Sequence, residues 1–397
     1  MNEDRLRREL GDEPVPDAAG AQERAWRLVQ NAYAAEPHAP APRRRRYRHL
    51  AQLAVALGLL AAFISPAGAT VRHWVGDAVD IGREPSQPAL TSLPAPGRLL
   101  VDSPVGPWVV QPDGSKRLLG RYRQSTWSPH GLFVAATKGR QLLALDPEGE
   151  VRWSLARSAP VSDPSWAPDG FRIAYLSGAA LHVVAGDGTG DRLLEPDVAS
   201  VTPAWRPGPG HQLSFVDPGG AVRTVAADTG KSVFAVSPGP RPTGLAWSAD
   251  GSRLLIVSRS GLEVRDGAGG LAWRAKAPPG MAIRAAAFSP SEEEVTILAV
   301  TGAAAQSTLL SVGPGGARRR LFAGLGRFTD IAYSPDGRWL LAAWQSADQW
   351  LFLNVERPRR IVAVSGISAQ FDPGATSASA FPSVSGWCCR GGGGTSG

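Results

Sequence analysis

The sequence predicts an all-β protein made of a four-stranded unit that is repeated around a closed ring. One observation is a recurring turn, seen as Trp166-Ala167-Pro168-Asp169-Gly170 and again as Tyr333-Ser334-Pro335-Asp336-Gly337. Another is the period of the aromatic residue before the turn, which occurs at positions 127, 166, 205, 247, 288 and 333 with spacings of 39, 39, 42, 41 and 45 residues. Repeats of about 40 residues with four short strands each are typical of β-propeller blades.

The second repeat shows the internal order most clearly. One strand ends at Trp166, the turn follows, and three more strands are predicted at 171–176, 181–185 and 191–194. In the turn, proline fixes φ and glycine adopts the positive φ that closes the hairpin. The aromatic residue is large enough to fill the gap between neighbouring sheets. The motif is therefore a feature of the fold, and we assign no chemistry to it.

The two ends of the repeat region predict seven blades. Residues 98–102, 108–111 and 117–119 resemble a second, third and fourth strand without a first. Residues 367–371 resemble a first strand, and the turn at 372–374 follows it without a further blade. A seventh blade assembled from both fragments would leave no open sheet edge. The alternative is a six-bladed ring with the terminal fragments attached to it.

These turns and the Arg/Phe-aliphatic strands that follow them resemble the repeats of TolB-like and WD-repeat-like bacterial β-propellers. The resemblance covers roughly residues 97–374. It implies a binding platform, of the kind found in the periplasm or as an accessory domain of peptidases. Because one fold serves many functions, the resemblance does not specify a ligand.

An uncharged segment at residues 50–71 predicts a membrane anchor. At about 1.5 Å per residue it would extend roughly 33 Å, which spans a hydrocarbon core. Five arginines precede it at positions 43–46 and 48. The positive-inside rule therefore predicts a single pass through the plasma membrane, with a cytoplasmic N-terminus and an extracytoplasmic propeller. The alternative is a secreted protein whose signal peptide is cleaved near Ala67-Gly68-Ala69.

Residues 1–49 are predicted to form a cytoplasmic segment that contains a short helix. Trp26, Val29 and Tyr33 lie on one face of that helix. This face is a candidate binding site for a cytoplasmic protein, in an arrangement that resembles an anti-sigma factor. The alternative is a marginal helix that frays, because isolated helices of this length are barely stable in water.

The remaining boundaries follow from composition. Residues 72–97 are predicted to form a juxtamembrane helix and a proline-rich spacer, residues 98–375 the propeller, and residues 376–397 a partly disordered tail. The tail contains the only cysteines, Cys388 and Cys389. A disulfide between adjacent residues requires a distorted ring, so free thiols and a bridge both stay open.

The formal net charge of +7 does not by itself indicate nucleic-acid binding. The densest basic run adjoins the apolar segment, and no basic face alternates with stacking aromatic residues. Hydrophobic residues make up 43% of the chain, which excludes a disordered protein. We therefore expect partners other than nucleic acid.

The sequence motifs that could indicate nucleotide binding, metal binding or catalysis are incomplete. Thr229-Gly230-Lys231-Ser232 lacks the earlier glycine of a phosphate-binding loop, because position 225 is valine. The glycine-rich stretch 186–190 fails the dinucleotide pattern at Asp191, and the six histidines lack metal-ligand spacing. No Gly-x-Ser-x-Gly elbow occurs. We expect no catalytic residue, no cofactor and no metal.

The leading functional prediction is thus a non-enzymatic platform for a protein, peptide or envelope polymer. The alternative is a hydrolase or lyase that uses carboxylates facing the central channel. Small residues near the predicted inner strands speak for the binding platform, because they would line the channel mouth without chemistry. These residues are Ala204, Ala246, Ala286 and Ala332.

Overall fold

The computed structural model describes residues 89–290, 293–303, 305–357, 360–374 and 379–389. All of them belong to the second of the two units into which the chain divides, which begins at Asp80. The predicted anchor at 50–71 and the predicted helix face of Trp26, Val29 and Tyr33 lie outside the described residues. Within the described part, no helix is long and apolar enough to cross a membrane.

The described residues form seven antiparallel sheets of four strands each. Blade 1 contains β1 (Arg98–Ser103), β2 (Gly106–Val110), β3 (Lys116–Leu118) and, innermost, β28 (Ser383–Cys388). Blade 2 contains β4 (Arg123–Trp127), β5 (Val134–Lys138), β6 (Gln141–Leu145) and β7 (Val151–Ala156). Blade 3 contains β8 (Val161–Trp166), β9 (Arg172–Ser177), β10 (Ala180–Ala185) and β11 (Arg192–Glu195). Blade 4 contains β12 (Ala204–Trp205), β13 (Gln212–Val216), β14 (Val222–Ala226) and β15 (Ser232–Val236).

The other three blades have the same order, from the inner to the outer strand. Blade 5 contains β16 (Pro242–Trp247), β17 (Arg253–Ser258), β18 (Gly261–Asp266) and β19 (Leu271–Lys276). Blade 6 contains β20 (Met281–Phe288), β21 (Val295–Thr301), β22 (Gln306–Val312) and β23 (Arg318–Leu325). Blade 7 contains β24 (Phe328–Tyr333), β25 (Trp339–Trp344), β26 (Gln349–Asn354) and β27 (Ile361–Ser365). Short helical turns occur at Pro314–Gly316, Gln345–Ala347 and, as α1, Ile367–Gln370.

Both ends of the repeat region meet in blade 1, so the predicted seven-bladed closure is confirmed. Strand β28 pairs antiparallel with β1 and packs between the inner strands β24 and β4 of the neighbouring blades. This pairing joins residues almost 300 positions apart in sequence, because Arg98 lies opposite Cys388. The last strand of the domain, β28, thereby completes the blade that contains the first three strands.

The predicted closing strand is wrong in position. Residues 367–370 form α1, and the closing strand is Ser383–Cys388, beyond residue 375 where we expected the propeller to end. Ile367 and Phe371 are fully buried in one core cluster, at a spacing of four that suits a helical turn and not a strand. The long connection between β27 and β28 moved the true strand out of the period.

Trp387 is the seventh aromatic residue of the repeat. It lies 54 residues after Tyr333, so it escapes a search at the regular spacing. Its side chain is only 8% exposed, and its ring packs edge-on against Phe352 of blade 7 at 5.7 Å between centroids. Cys388 and Cys389 stand where other repeats have serine and proline, which hid the motif.

The aromatic residues bridge neighbouring blades, as predicted. The Trp205 indole Nε1 donates a hydrogen bond to the Ser165 carbonyl oxygen at 2.9 Å, across the gap from blade 4 to blade 3. Trp247 Nε1 donates likewise to Ser214 Oγ of blade 4 at 3.0 Å. The inner strands of blades 4 and 5 are therefore fixed to the preceding blade by an apolar ring with one polar contact, whereas the buried indole nitrogens of Trp127, Trp166 and Trp387 have no hydrogen-bond partner in the described part.

The Ser-Pro-Asp-Gly turn has the roles that the sequence predicts. Ser334 Oγ donates to Asp336 Oδ1 at 2.6 Å and accepts from the Trp339 backbone N at 3.0 Å. Gly337 has a φ of +71°, and a Cβ there would lie 2.6 Å from Pro290 in the turn of blade 6. Glycine is thus required both by the turn and by the close approach of the neighbouring blade.

The residues just before β1 are part of the propeller core, although we predicted a spacer there. Leu90, Leu93 and Ala95 are buried in the cluster that contains Trp350 and Phe371. The Leu93 backbone N donates to the Pro112 carbonyl oxygen at 2.8 Å. The buried residues occur at every second or third position of this stretch. Its prolines made the stretch resemble a linker.

Replacing Trp387 by Ala is expected to lower the free energy of unfolding by about 3–5 kcal/mol, because it empties the buried contact between blades 7 and 1. Urea unfolding followed by circular dichroism measures the change. Phe171→Ala is the matched control, since Phe171 is 67% exposed and its loss should change stability by no more than about 0.5 kcal/mol. Equal effects of the two substitutions would contradict the assignment of Trp387 to the repeat.

Candidate binding face

The strand order gives the ring two different ends. The turns between first and second strands, such as Ser334–Gly337, lie at one end together with the turns between third and fourth strands. We call this end the turn face. The inner strands begin at the opposite end, where the connections between blades and the turns between second and third strands also lie. We call this opposite end the bulge face.

Each inner strand but β12 has one extra residue near its start. In blade 2, Arg123 lies opposite Thr137 while Thr126 lies opposite Ala135, so β4 has one residue more than its partner between these pairs. Such bulges bend a strand and redirect a side chain, and they often occur beside functional sites. The extra residues lie at 124–125, 163–164, 243, 284, 329–330 and 385.

The bulges of blades 2 and 3 are linked by polar contacts. The Asp163 backbone N donates to Gln124 Oε1 at 3.1 Å, and Thr202 Oγ1 of the next blade donates to Asp163 Oδ1 at 2.9 Å. Gln124 and Asp163 have φ values of 44° and 53°, a left-handed conformation that costs residues other than glycine about 1–3 kcal/mol. The contacts between blades therefore hold a strained backbone in place.

Asp102 of β1 connects the bulge of blade 2 to that of blade 1. Its carboxylate accepts hydrogen bonds from the Ser125 backbone N at 3.0 Å, from Ser125 Oγ at 2.6 Å and from Ser385 Oγ at 2.8 Å. Ser125 belongs to blade 2, whereas Ser385 lies on the closing strand of blade 1. The half-buried carboxylate of Asp102 thus positions both the blade 2 bulge and the bulge of the closing strand.

Asp330 is the second acidic residue at a bulge. Burial raises the pKa of its carboxyl above the ordinary value, and the positive charge of Arg284 opposes this shift without cancelling it. Its Oδ2 atom is buried without a hydrogen-bond partner in the described part of the chain. Asp330 lies in blade 7 and Asp163 in blade 3, with blades 1 and 2 between them.

Exposed arginines also lie on the bulge face, near the bulges, the connections between blades and the turns between second and third strands. None of them forms an ion pair with another residue of the part that the structure describes. Two acidic residues of the same face are engaged otherwise: Asp163 by Thr202, and Asp348 by the backbone N and hydroxyl of Ser368. Asp197 and Asp372 also lie in connections on this face, and Asp372 lines a pocket with Arg121 and Arg123. The arginines are Arg121, Arg123, Arg140, Arg241, Arg259, Arg284 and Arg327.

On the turn face, five arginines form ion pairs, whereas the exposed Arg117, Arg318 and Arg320 form none with the described residues. Arg152 contacts Asp146 at 2.6 Å, and Arg338 contacts Glu356 at 3.5 Å. Further pairs on this face are Arg172 and Arg192 with Asp228, and Arg319 with Glu294. The two faces therefore differ in how far their positive charge is neutralised.

A buried polar cluster joins blades 2 and 3. Tyr175 OH donates to Asp191 Oδ1 at 2.5 Å, and Arg157 contacts the other carboxylate oxygen at 2.5 Å. Burial raises the pKa of Tyr175 far above its ordinary value. Burial and the charge of Arg157 lower the pKa of His182, which stacks on the Tyr175 ring at 5.4 Å. This cluster fastens the two blades, since Arg157 follows β7 of blade 2 and Asp191 precedes β11 of blade 3.

A second histidine lies between two carboxylates on the turn face. His211 Nε2 is 2.7 Å from Asp169 and Nδ1 is 2.5 Å from Asp228. Burial alone would raise the pKa of Asp228, but hydrogen bonding and charge from His211 and Arg172 hold it below the ordinary value. Among the described residues, no group of His, Cys, Asp and Glu is arranged to hold a metal ion.

The remaining sequence candidates fall on turns and inner strands. Residues 229–232 and 186–190 form hairpin turns, as predicted in place of nucleotide-binding loops. Ala204, Ala246, Ala286 and Ala332 lie on the inner strands of blades 4, 5, 6 and 7.

The two cysteines lie at the turn face. Cys388 and Cys389 have their sulfur atoms at bonding distance, and Cys389 Sγ is 3.0 Å from the Pro129 carbonyl oxygen. The disulfide itself stays a prediction.

Sequence reasoning missed the bulges and the asymmetry of the two faces. Gln124, Asp163, Arg284 and Asp330 follow no common residue type, and their partners come from other blades. The only signal in the sequence is position: Gln124, Asp163 and Asp330 lie three residues before the aromatic residue of their repeat. That signal becomes readable once the strand register is known.

Comparison with known proteins supports the fold and nothing finer. No protein-family model matches the chain, and no curated protein matches its sequence. A chain of the mitotic checkpoint complex is similar in structure, with 16% identity, 70% of this chain and 84% of that chain covered, and a TM-score of 0.50. The fold is a seven-bladed, WD40-like β-propeller.

Two further solved structures match at lower scores. The β-propeller domain of Cps50 (Swd1) from Myceliophteria thermophila has 15% identity over 62% of this chain and 86% of that chain, with a TM-score of 0.49. Hydrazine synthase from Kuenenia stuttgartiensis has 13% identity over 69% and 81%, also with a TM-score of 0.49. At such identities the likeness concerns the fold alone.

The raised pKa of Asp330 predicts a pH dependence of stability. Because the folded-state pKa lies above the unfolded one, the contribution of this carboxyl is fully present at low pH and is lost as the pH rises through the folded pKa. The stability of the wild type relative to Asp330→Asn should therefore fall as the pH rises above about 4, the ordinary pKa of an aspartate. Urea unfolding of both proteins across this range measures the difference.

Asp336→Asn is the control of opposite sign. Burial alone would raise the pKa of Asp336, but the hydrogen bond from Ser334 and the charge of Arg338 hold it below the ordinary value. Wild-type stability relative to this variant should rise with pH in the acid range. The same trend with pH for both variants would contradict the burial of Asp330.

Proposed function

We propose that this protein is a non-enzymatic binding platform, anchored in the plasma membrane by residues 50–71, which presents its propeller outside the cytoplasm. We further propose that the bulge face binds acidic segments of a protein partner. The observation that carries this proposal is the set of exposed arginines without ion-pair partners in the described part of that face. The apolar segment and its flanking arginines support the anchor.

Unpaired arginines favour an acidic partner for a physical reason. Like charges around one channel mouth repel each other, and a partner that supplies carboxylates relieves this repulsion while forming charge-assisted hydrogen bonds. Arginine presents a planar fork that matches a carboxylate in two parallel bonds. The paired arginines of the turn face lack this capacity, because neighbouring acids already occupy them.

The bulge face is also suited to a specific complex. Its connections between blades are tied together by Asp102 and by the contacts of Asp163, so the arginines project from an ordered surface. An ordered surface loses less conformational freedom on binding than a mobile one. Electrostatic complementarity on such a surface contributes to the rate and specificity of association.

A channel enzyme is the alternative. The observation that favours it is the raised pKa of Asp330, which would suit a general acid. A glycosidase mechanism needs a second carboxylate within about 5–9 Å of the first. The other acid at a bulge, Asp163, belongs to a blade that is not adjacent to blade 7. Asp102 contacts the same closing strand as Asp330, but its carboxylate already accepts three hydrogen bonds from Ser125 and Ser385. We therefore rank binding above catalysis.

The cytoplasmic segment extends the proposal to signalling. Trp26, Val29 and Tyr33 would form the face that binds a cytoplasmic protein in an anti-sigma-like arrangement, and the anchor would connect that face to the propeller. This part rests on the sequence pattern alone. A pull-down with residues 1–49 that recovers the same proteins from wild type and Trp26→Ala would overturn it.

Protease protection on spheroplasts tests the topology. One epitope is placed at the N-terminus and another after Gly374. We expect external protease to remove the second epitope while the first survives on a membrane-bound fragment, because residues 50–71 cross the bilayer once. A mature protein that starts near Thr70 would instead show a cleaved signal peptide and remove the signalling extension. Protection of both epitopes would contradict export.

Binding of charged polymers by the full-length protein in detergent micelles tests the face. We expect polyglutamate to bind and polylysine not to bind, with an affinity that falls as salt rises. Combined replacement of Arg123, Arg284 and Arg327 by Ala should weaken polyglutamate binding by about tenfold or more, which corresponds to roughly 1.4 kcal/mol. Fluorescence anisotropy of labelled polymers measures the affinities.

The matched control changes net charge equally on the turn face, by replacing Arg152, Arg172 and Arg338 with Ala. Its affinity for polyglutamate should stay within about twofold of the wild type, because these arginines are already paired. Equal losses in the two triple variants would show that only net charge matters. Absence of polyglutamate binding by the wild type would overturn the proposed function.

A further inference from the structure

A pocket of about 610 Å³ opens on the bulge face between blades 4 and 5. Three stretches form it: the connection from blade 3 to blade 4, the connection from blade 4 to blade 5, and the turn between β17 and β18. Residues from these stretches include Ser200, Arg241, Thr243, Arg259 and Ser260. The pocket is distinct from the polar chain around Asp163.

The charge of this pocket is unbalanced. Arg241 and Arg259 are both exposed, and neither forms an ion pair with a described residue. No acidic residue lines the pocket. Two guanidinium groups in one concave site, without a carboxylate beside them, give the site a preference for anions.

The other polar groups of the pocket are hydroxyls. Ser200 and Ser260 are exposed there, and hydroxyls donate hydrogen bonds to carboxylate oxygens. The Thr243 hydroxyl is directed to the Val257 carbonyl oxygen. Ser258 is turned inward, since its Oγ donates to the Gly261 carbonyl oxygen at 2.9 Å. The pocket thus offers two cationic forks with neutral donors between them.

The backbone around Arg241 is restricted. Pro240 and Pro242 flank it, and each ring fixes its own φ. Thr243 is the extra residue of the β16 bulge, and its hydroxyl lies 3.4 Å from the Val257 carbonyl oxygen. The arginine therefore projects from a segment that has little conformational freedom to lose on binding.

We propose that this pocket is the anchor site for an acidic peptide segment, in which Arg241 and Arg259 each bind one of two neighbouring carboxylates in a two-pronged contact. The inference rests on the proposed function of the bulge face and adds to it a specific site and a ligand class. The occupant is a protein segment rich in Glu or Asp, because its side-chain carboxylates match both forks and its backbone can accept the flanking hydroxyl donors.

The test uses the full-length protein in detergent micelles and a short labelled peptide in which Glu alternates with Gly. The combined variant Arg241→Gln and Arg259→Gln should lose about tenfold or more in affinity. The combined variant Arg241→Lys and Arg259→Lys should lose several-fold, because lysine keeps the charge but not the fork. Full retention of affinity with lysine would overturn the two-pronged contact.

The matched control is Arg152→Gln with Arg338→Gln, which removes the same charge from the turn face, where both arginines are paired with acids. Its affinity should stay within about twofold of the wild type, and the circular dichroism and melting temperature of all variants should match the wild type. Equal losses in the control and the pocket variant would overturn the pocket, because only net charge would then matter. Failure of the wild type to bind polyglutamate would instead remove the proposed function itself.

Competition separates a peptide site from a general anion site. The same peptide with Gln in place of Glu should not displace the labelled peptide, and unlabelled Glu peptide should displace it fully. Displacement by inorganic phosphate at the concentration that suffices for the Glu peptide would overturn the assignment to an acidic protein segment.

Discussion

The pairing of β28 with β1 is the constraint on which the rest of the structure depends. Without it, β1 would expose an open edge, and the inner strands β24 and β4 would have no neighbour between them. Exposed edges of this kind invite aggregation, and closure removes them. Trp387 secures the same junction by packing against Phe352 of blade 7. The ring, its channel and its two unlike faces all follow from this one strand pair.

Closure also allows hydrogen bonds to link the bulges of blades 1, 2 and 3. Asp102 accepts hydrogen bonds from bulge residues of blades 1 and 2, so its position depends on β28 being present. The contact between Asp163 and Thr202 extends this series of hydrogen bonds to blade 4. These hydrogen bonds order the connections between blades 1 to 4 on the bulge face. The proposed binding face lies at the same end of the ring as these contacts.

Much of the fold could be predicted because its signal is local. Each Ser-Pro-Asp-Gly turn needs particular residues at adjacent positions, and Gly337 shows why substitution is not tolerated there. The closing strand escaped prediction because Cys388 and Cys389 replace the usual turn residues and because a long connection breaks the period. Residues 367–371 imitated a strand, although Ile367 and Phe371 serve a helical turn.

The candidate site could not be predicted to the same extent. Whether Arg241 or Arg152 has a carboxylate beside it depends on residues brought together from different strands, and no spacing in the sequence encodes that. The bulges depend on strand register in the same way. The binding platform and the membrane topology stay predictions from the sequence; the topology was predicted because hydropathy and charge run along the chain and do not require knowledge of the fold.

Truncation of the full-length protein tests the central claim most directly. One chain ends after residue 389 and keeps β28, whereas the other ends after residue 374 and keeps only the segment that first resembled a closing strand. Urea unfolding in detergent micelles compares both with the intact protein. We predict an unchanged single transition for the chain that ends at 389 and loss of the cooperative transition for the chain that ends at 374. An unchanged transition for the shorter chain would contradict closure by β28.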